Sequence, residues 1–351
     1  MAGKQTRPVT IADVARRAGV SNGTVSRYNN SPDVVSAATR ERIRAAIEEL
    51  GYAPNLLARS FRVGHTGIVL VLTTWISDPF YGDVIAGIVR VARAKGYTVR
   101  IEELDAEPLS ASDLGAFVAS RQADGIVVLG SPWPFRRGAA GQDGAEHAIV
   151  VCGETADPEL MRYPRFQIDG HAAALEITCY LAGLGHERIG FIGNAGSTVP
   201  LLEREHGYRE GLSRSGINPD PEWLSDGGES MEESRRAARS LLNAQRRPTA
   251  IVCATDEIAL AAMAEIRDAG LSVPGHVSVT GFDDTRYAAV SNPGLTTIAQ
   301  PAGEIGERAM HRLLKDMSGP GAGAGVEHLP YQLVIRRSAS SPPFGERDGE
   351  A

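Results

Sequence analysis

The chain has 351 residues, with 36 Lys and Arg against 43 Asp and Glu, a formal net charge of -7, and 42% hydrophobic side chains. These proportions exclude global disorder and suit a globular chain of two or three domains. Apolar runs such as residues 68–72 and 126–129 fall far short of the roughly 20 residues that span a bilayer, so no membrane partner is expected.

The opening ten residues carry Lys4 and Arg7 and lead into a polar helical pattern, so no export signal is expected. Cys152, Cys179 and Cys253 stand far apart without a CxxC pair, which argues against a disulfide framework or a zinc knuckle and suits a reducing cytoplasm. Charge is distributed unevenly. Residues 1–65 hold ten basic and five acidic side chains (+5), which leaves -12 on the remainder. A small basic head before a large acidic body is a candidate anion-binding module.

Within the head, Thr10 and Asp13 form a capping box that opens a helix with Ile11, Val14, Ala15 and Ala18 on its apolar face and Gly19 at its end. Ser21 caps a second helix, from Asn22 to about Asn29, with Val25 inward and Asn22, Gly23, Ser26 and Arg27 toward solvent. A third helix starts after Ser36, buries Ile43, Ile47 and Leu50, and stops at Gly51. This is helix-turn-helix spacing, and a short polar helix bearing an arginine suits the DNA major groove. Pro54 then opens a short segment, Asn55-Leu56-Leu57-Ala58-Arg59-Ser60-Phe61, too short to hold as a helix alone.

From Gly67 apolar strands alternate with amphipathic helices: strands at 68–72, 98–101 and 125–129, and helices at 85–94 and 114–121. A second series follows, with helices at 172–184, 208–215, 234–243 and 258–269 and strands at 188–192, 250–253 and 277–281. Such alternation implies parallel sheets, and two doubly wound lobes fit the length. Ligands in such folds sit beyond the carboxyl ends of the strands, so a cleft between the lobes is expected. Gly190-Phe191-Ile192-Gly193-Asn194-Ala195-Gly196 departs from GxGxxG, and Pro200 is expected to interrupt the helix that would bind a pyrophosphate, so a loop lining the cleft is favoured over a dinucleotide site. The absence of HExxH, Walker and GxSxG patterns leaves no catalytic residues, metal or cofactor to propose.

The run Val9-Thr10-Ile11-Ala12-Asp13-Val14-Ala15-Arg16-Arg17-Ala18-Gly19-Val20-Ser21, then Thr24-Val25-Ser26-Arg27, Val35-Ser36, Thr39-Arg40, Leu50-Gly51-Tyr52 and Pro54-Asn55, resembles the head of the lac repressor (LacI/GalR) family. Similar segments recur to about Arg336, including Asp78-Pro79-Phe80-Tyr81, Gly185-His186-Glu187-Arg188-Ile189-Gly190 and Gly281-Phe282-Asp283-Asp284. The resemblance implies an α/β chain: an N-terminal three-helix helix-turn-helix head plus a two-lobed, doubly wound parallel-sheet body like a periplasmic binding protein. It places the DNA-binding domain at 1–52, a hinge helix and linker at 53–65, the effector-binding and dimerisation domain at 66–340, and a flexible tail at 341–351. Within that body the N-lobe spans about 66–167 and 298–328, and the C-lobe about 168–297 and 329–340.

By the same resemblance Asn22, Gly23 and Arg27 occupy base-reading positions, with Ser26 beside them, and Thr10, Ser21, Thr24, Asn30 and Ser36 look like phosphate contacts. Arg27 suits a guanine through bidentate bonding, whereas Gly23 offers no side chain for readout. Tyr28-Asn29 replaces a pair that is usually aliphatic in the family. Asn55, Ala58 and Phe61 belong to the hinge helix, where Phe61 stands in place of a leucine that wedges into the minor groove. Arg204 and Asp283 match the family's effector-binding arginine and aspartate, and Trp75, Phe80, Tyr81, Ser131, Trp133, Glu229 and Thr255 fall at or near pocket positions. Glu229 replaces an aromatic of purine-responsive relatives, which speaks against purines, and Val151 or Cys152 stands where some relatives carry an aspartate.

The implied function is a cytoplasmic, sequence-specific regulator, most simply a repressor, acting as a homodimer on double-stranded DNA with a pseudo-palindromic operator. A small polar effector, sugar-like, would bind between the lobes. A solute-binding protein of the transport type is the alternative, since it shares the two-lobed body but not the head. A tetramer is not expected, because residues 338–351 are polar and contain proline rather than a leucine heptad helix.

Overall fold

The computed structural model describes residues 9–30, 32–52, 65–74, 76–104, 123–130, 148–155, 157–193, 199–228, 230–319 and 323–343. The chain divides into two compact units, Met1–Thr66 and Gly67–Ala351.

Among its described residues the first unit holds three α-helices, α1 (Ile11–Ala18), α2 (Asn22–Asn30) and α3 (Ala37–Leu50). Local chemistry sets their ends. The backbone N–H and the hydroxyl of Thr10 both donate to the Asp13 carboxylate, at 3.0 and 2.6 Å, and Gly19 leaves α1 in the left-handed conformation at φ 63°. Ser21 Oγ accepts the Thr24 N–H at 3.1 Å and so starts α2. Val14, Ala15, Ala18, Val25, Ile43 and Ala46 form the core, and Tyr28 packs at its margin. Ile47 and Leu50 are only partly buried, a departure from the expected stripe: Ala46 takes the central place on α3, and a core this small leaves the far edge of the helix at its rim.

The second unit holds two six-stranded sheets. The first contains β1 (Ile68–Thr73), β2 (Thr98–Glu103), β3 (Gly125–Leu129), β4 (Ala148–Cys152), β5 (Pro164–Gln167) and, from late in the chain, β11 (Gly325–His328), in the order β11-β5-β4-β3-β1-β2. The second contains β6 (Ile189–Gly193), β7 (Leu224–Asp226), β8 (Ala250–Cys253), β9 (Ser278–Asp283), β10 (Thr296–Ala299) and β12 (Gln332–Val334), in the order β12-β10-β9-β8-β6-β7. Neighbouring strands run parallel except β10 and β12, which are antiparallel with Ile298 opposite Leu333. Both sheets share the doubly wound 2-1-3-4-5 order over their first five strands, so each has a switch point where its first and third strands meet. Alternation along β1 shows how the first lobe fills both faces: Val69 and Val71 enter one apolar cluster, Leu70 and Leu72 the other.

Among the described residues, six helices belong to this unit: α4 (Pro79–Ala94), α5 (Gly170–Gly183), α6 (Val199–Arg214), α7 (Met231–Leu242), α8 (Asp256–Asp268) and α9 (Ala302–Met317). The expected helices that fall among these residues all begin earlier than the apolar pattern suggests, α4 and α6 by more than a turn. Asp78 caps α4, accepting the Phe80 N–H at 2.8 Å, and Pro79 occupies the first position. Pro200 lies in the first turn of α6, where its missing N–H forfeits no helical bond, so the interruption expected there does not occur. The helix expected at 114–121 lies outside the described residues. α9 carries the chain back from the second sheet to the first, and Gly87 and Gly306 let it lie against α4: a Cβ on either would stand about 2 Å from a carbonyl oxygen of the facing helix. The backbone therefore passes between the lobes three times, after Gln167, after Ala299 and after His328. Among the described residues, no helix is long and apolar enough to cross a membrane.

Candidate effector cleft and DNA-reading face

On α2, Ser21, Asn22, Gly23 and Arg27 are exposed, while Thr24 and Ser26 are half-buried. Arg27 Nε donates to the Gly23 carbonyl at 3.3 Å, and among the described residues Arg27 makes no ion pair, whereas Arg16, Arg17, Arg40 and Arg44 each meet a carboxylate. Among the described residues its guanidinium is therefore bonded to backbone but not neutralised by a carboxylate. Gly23 takes an ordinary helical conformation; a Cβ there would meet Ser21 Oγ at 3.7 Å and Arg27 Nη2 at 3.9 Å, so no steric demand explains the glycine. Ser36 is exposed and donates to Thr39 Oγ1, Asn30 ends α2, and Thr10 is half-buried and engaged with Asp13. Asn55, Ala58 and Phe61 lie outside the described residues.

In the second unit a cavity of about 230 Å3 opens where the strand carboxyl ends of the two sheets face each other. Of the nine effector residues expected, Phe80, Tyr81, Arg204, Thr255 and Asp283 line it. Trp75, Ser131, Trp133 and Glu229 lie outside the described residues. Phe80 and Tyr81 meet edge to face, with ring centroids 5.2 Å apart, and they also pack against the core of the first sheet, so they serve both cavity and core.

Arg204, on α6, is the centre of the site. Its residue is only 8% exposed; Nη1 donates to the Ala254 carbonyl at 2.6 Å, Nη2 lies 3.6 Å from Asp283 Oδ1, and the guanidinium carbon lies 3.7 Å from the Phe282 ring centre. Its Nε is buried and has no hydrogen-bond partner among the described residues. Asp283, also 8% exposed, accepts from Gln300 Nε2 at 2.6 Å. The chain leaves β9 with Asp283 at φ 110° and Asp284 at φ 52°, conformations that L side chains adopt at a cost. Asp256 holds this turn in place, accepting the Thr285 N–H at 2.6 Å, the Thr285 hydroxyl at 3.0 Å and the Thr297 hydroxyl at 2.6 Å. Gly281 is required beside it, because a Cβ there would stand 2.4 Å from Asp256 Oδ1.

Eight polar residues outside the expected effector set also line the cavity: Ser77, Ser230 and Ser234, and the longer Asp78, Glu154, Gln167, Glu257 and Gln300. Asp78 is legible only as a helix cap before Pro79. Glu154 lies two residues beyond β4, and the glutamines sit at the crossovers, where pattern alone does not distinguish a pocket residue from a connector. At the end of β4, Cys152 lines the cavity, whereas Val151 packs into the core on the opposite face of the sheet. Burial pushes the carboxyl of Glu154 up to about 7 against the opposing pull of Arg204 and the Gly170 N–H, and it also raises Asp78 and Glu257. Asp283 is driven well above the ordinary aspartate range by burial, with Arg204 acting in the other direction.

Other family-like segments have packing roles. His186 is buried, its Nδ1 2.8 Å from Thr249 Oγ1 and its Nε2 2.8 Å from the Ser340 carbonyl, which ties the late chain to the second lobe. Cβ atoms on Gly190 and Gly193 would stand 3.1 Å from Leu241 and 2.4 Å from the Phe191 ring, so these glycines answer to close packing around β6.

Residues 10–55 match the bacterial regulatory proteins of the lacI family, and residues 178–339 match a periplasmic binding protein-like domain. The HTH-type transcriptional repressor CytR of Escherichia coli (strain K12) is 37% identical over 341 residues, covering 97% of this chain and 99% of that protein. Catabolite control protein A of Priestia megaterium is 31% identical over 335 residues, with 94% and 99% covered. The lac repressor dimer bound to operator and the anti-inducer ONPF superposes with a TM-score of 0.81 at 27% identity, over 95% of this chain and 100% of that one. These relatives are regulators rather than enzymes. The chain belongs to the lacI family of bacterial regulatory proteins.

Proposed function

We propose that this protein is a cytoplasmic repressor, without enzymatic activity, that reads a pseudo-palindromic operator as a homodimer and changes its grip on DNA when a small polar metabolite, a sugar or sugar derivative, binds between the lobes. The observation that carries the effector half is the cavity at the facing strand ends, with a nine-tenths-buried Arg204 whose Nε has no hydrogen-bond partner among the described residues. Supporting the DNA half is the exposed Arg27 on α2, the second helix of a head that matches the lacI family. The relative solved as a dimer on its operator supports the stoichiometry and the partner. In this reading Asn22, Gly23, Ser26 and Arg27 face the bases. Thr10, Ser21, Thr24, Asn30 and Ser36 face phosphates, and the segment with Asn55, Ala58 and Phe61 orders against the minor groove.

A ligand shifts operator affinity only by its different affinity for two lobe arrangements, typically 1 to 3 kcal/mol. The crossovers bearing Gln167 and Gln300 both line the cavity and join the lobes, so a ligand seated there touches the segments on which lobe closure turns. The test is operator binding by the full chain, first by in vitro selection of duplexes and then by titration of the selected duplex against sugars, polyols and nucleosides. Sequence-independent binding would refute the operator reading, and an operator affinity insensitive to every cavity ligand would refute effector control.

A further inference from the structure

The cavity has an electrostatic character that restricts what it can hold. Four carboxylates line it, from Asp78, Glu154, Glu257 and Asp283, and among the described lining residues Arg204 is the only cation. That cation is already shared with Asp283 and with the Ala254 carbonyl. Sites for phosphate or carboxylate ligands are ordinarily built from clustered Arg and Lys or from unoccupied amides at helix N-termini. At four helix starts around this cleft one amide is taken by the protein's own side chains. Asp78 accepts the Phe80 N–H at the start of α4 (2.8 Å), Glu154 accepts the Gly170 N–H at the start of α5 (2.8 Å), Ser230 accepts the Glu233 N–H at the start of α7 (3.2 Å), and Thr255 accepts the Ile258 N–H at the start of α8 (3.2 Å). Two of these caps are carboxylates in the cavity lining, so the starts of α4 and α5 place an acceptor beside their amides there.

Two buried polar atoms remain unsatisfied in residues lining the cavity, Arg204 Nε, a donor, and Gln167 Oε1, an acceptor. A hydroxyl group can donate to one and accept from the other, whereas a phosphate offers acceptors only and would be set among four carboxylates.

We infer that the effector is an uncharged, hydroxyl-rich molecule, a free sugar, polyol or nucleoside, and that the carboxylates of Asp78 and Glu154 exclude its phosphorylated or acidic counterparts. This rests on the effector reading above and narrows it to a ligand class. Arg204 is shared among these carboxylates, so an added phosphate competes with Asp78, Glu154 and Asp283 for it and meets repulsion from them.

The experiment is calorimetric titration of the full-length protein with matched pairs: glucose and glucose 6-phosphate, ribose and ribose 5-phosphate, uridine and uridine monophosphate. The expected result is that the parent of a binding pair binds at least ten-fold more tightly than its phosphate. Asp78→Asn combined with Glu154→Gln, which retains both capping oxygens, should narrow that ratio by weakening the exclusion of the phosphate. A phosphate ester that binds as tightly as its parent, or a ratio unchanged in the double variant, overturns the inference and leaves effector control standing. A parent that binds with the expected ratio yet leaves operator affinity unchanged overturns effector control while the charge selection holds.

Discussion

Glu154 offers the sharpest test of the cleft's electrostatics, because its cost to the fold can be worked from its surroundings. An unburied glutamate titrates near 4.5, and burial at the cleft lifts this one to about 7. The folded chain therefore holds the proton more tightly than the unfolded chain. Below pH 4.5 both states are protonated and no penalty exists; as pH rises from 4.5 toward 7 the unfolded state ionises first and stability falls, and above 7 the full penalty persists. At 1.36 kcal/mol per pH unit the gap corresponds to about 3 kcal/mol. Glu154→Gln keeps an oxygen to accept the Gly170 N–H, which Glu154 Oε1 holds at 2.8 Å, and removes the ionisation. The variant should match wild type near pH 4.5 and exceed it by up to about 3 kcal/mol at pH 8, about 6 °C in Tm at roughly 2 °C per kcal/mol for a domain of this size. Urea unfolding of both proteins at half-unit steps from pH 4.5 to 8 measures it. Parallel stability curves, with the same difference at both ends, would refute the assignment of a buried, proton-holding Glu154.

Other substitutions probe the remaining parts. Arg27→Ala should weaken operator binding by about 1 to 3 kcal/mol and relax one base position, and a duplex selection with unchanged preference would remove Arg27 from base reading. Gly23→Ala should stabilise the head by about 0.5 to 1 kcal/mol, since the position is helical with room for a methyl; a lowered melting temperature would contradict that. Arg204→Ala should abolish effector response while the ligand-free protein still binds operator, and a normal dose response would take Arg204 out of the pocket. Gly207→Ala places a Cβ 2.1 Å from the His171 carbonyl oxygen on α5 and should cost about 1 to 3 kcal/mol; an unchanged urea midpoint would show that the α5 and α6 pair is looser than described.

Much of the site was legible where chemistry is local or where a residue type is rare in its place. The Thr10–Asp13 box, the Gly19 stop and the Ser21 cap are interactions across three or four residues, and they appear where the pattern puts them. Arg204 and Asp283 were reachable by resemblance, and they do come together at 3.6 Å. Asp78, Glu154, Gln167, Glu257 and Gln300 were not, because each follows the end of a strand or opens a helix, and such positions read as caps and connectors until the two sheets are set facing one another. The start of α6 was misjudged for a related reason: proline breaks a helix interior but not its first turn, and only the observed boundary shows which of these Pro200 occupies.

The division at residue 65 into a +5 head and a -12 body is written in the sequence alone, as are the helix-turn-helix spacing and the alternation that yields parallel sheets, because charge, capping and hydrophobic period are properties of neighbouring residues. What the tertiary structure decided is where the acidity goes. Four of those body carboxylates, from Asp78, Glu154, Glu257 and Asp283, are gathered from beyond strands of two different sheets into one cavity with Arg204. No local rule brings together residues more than 200 positions apart; the parallel strand order does so, by delivering every strand's carboxyl end to the same edge of its sheet.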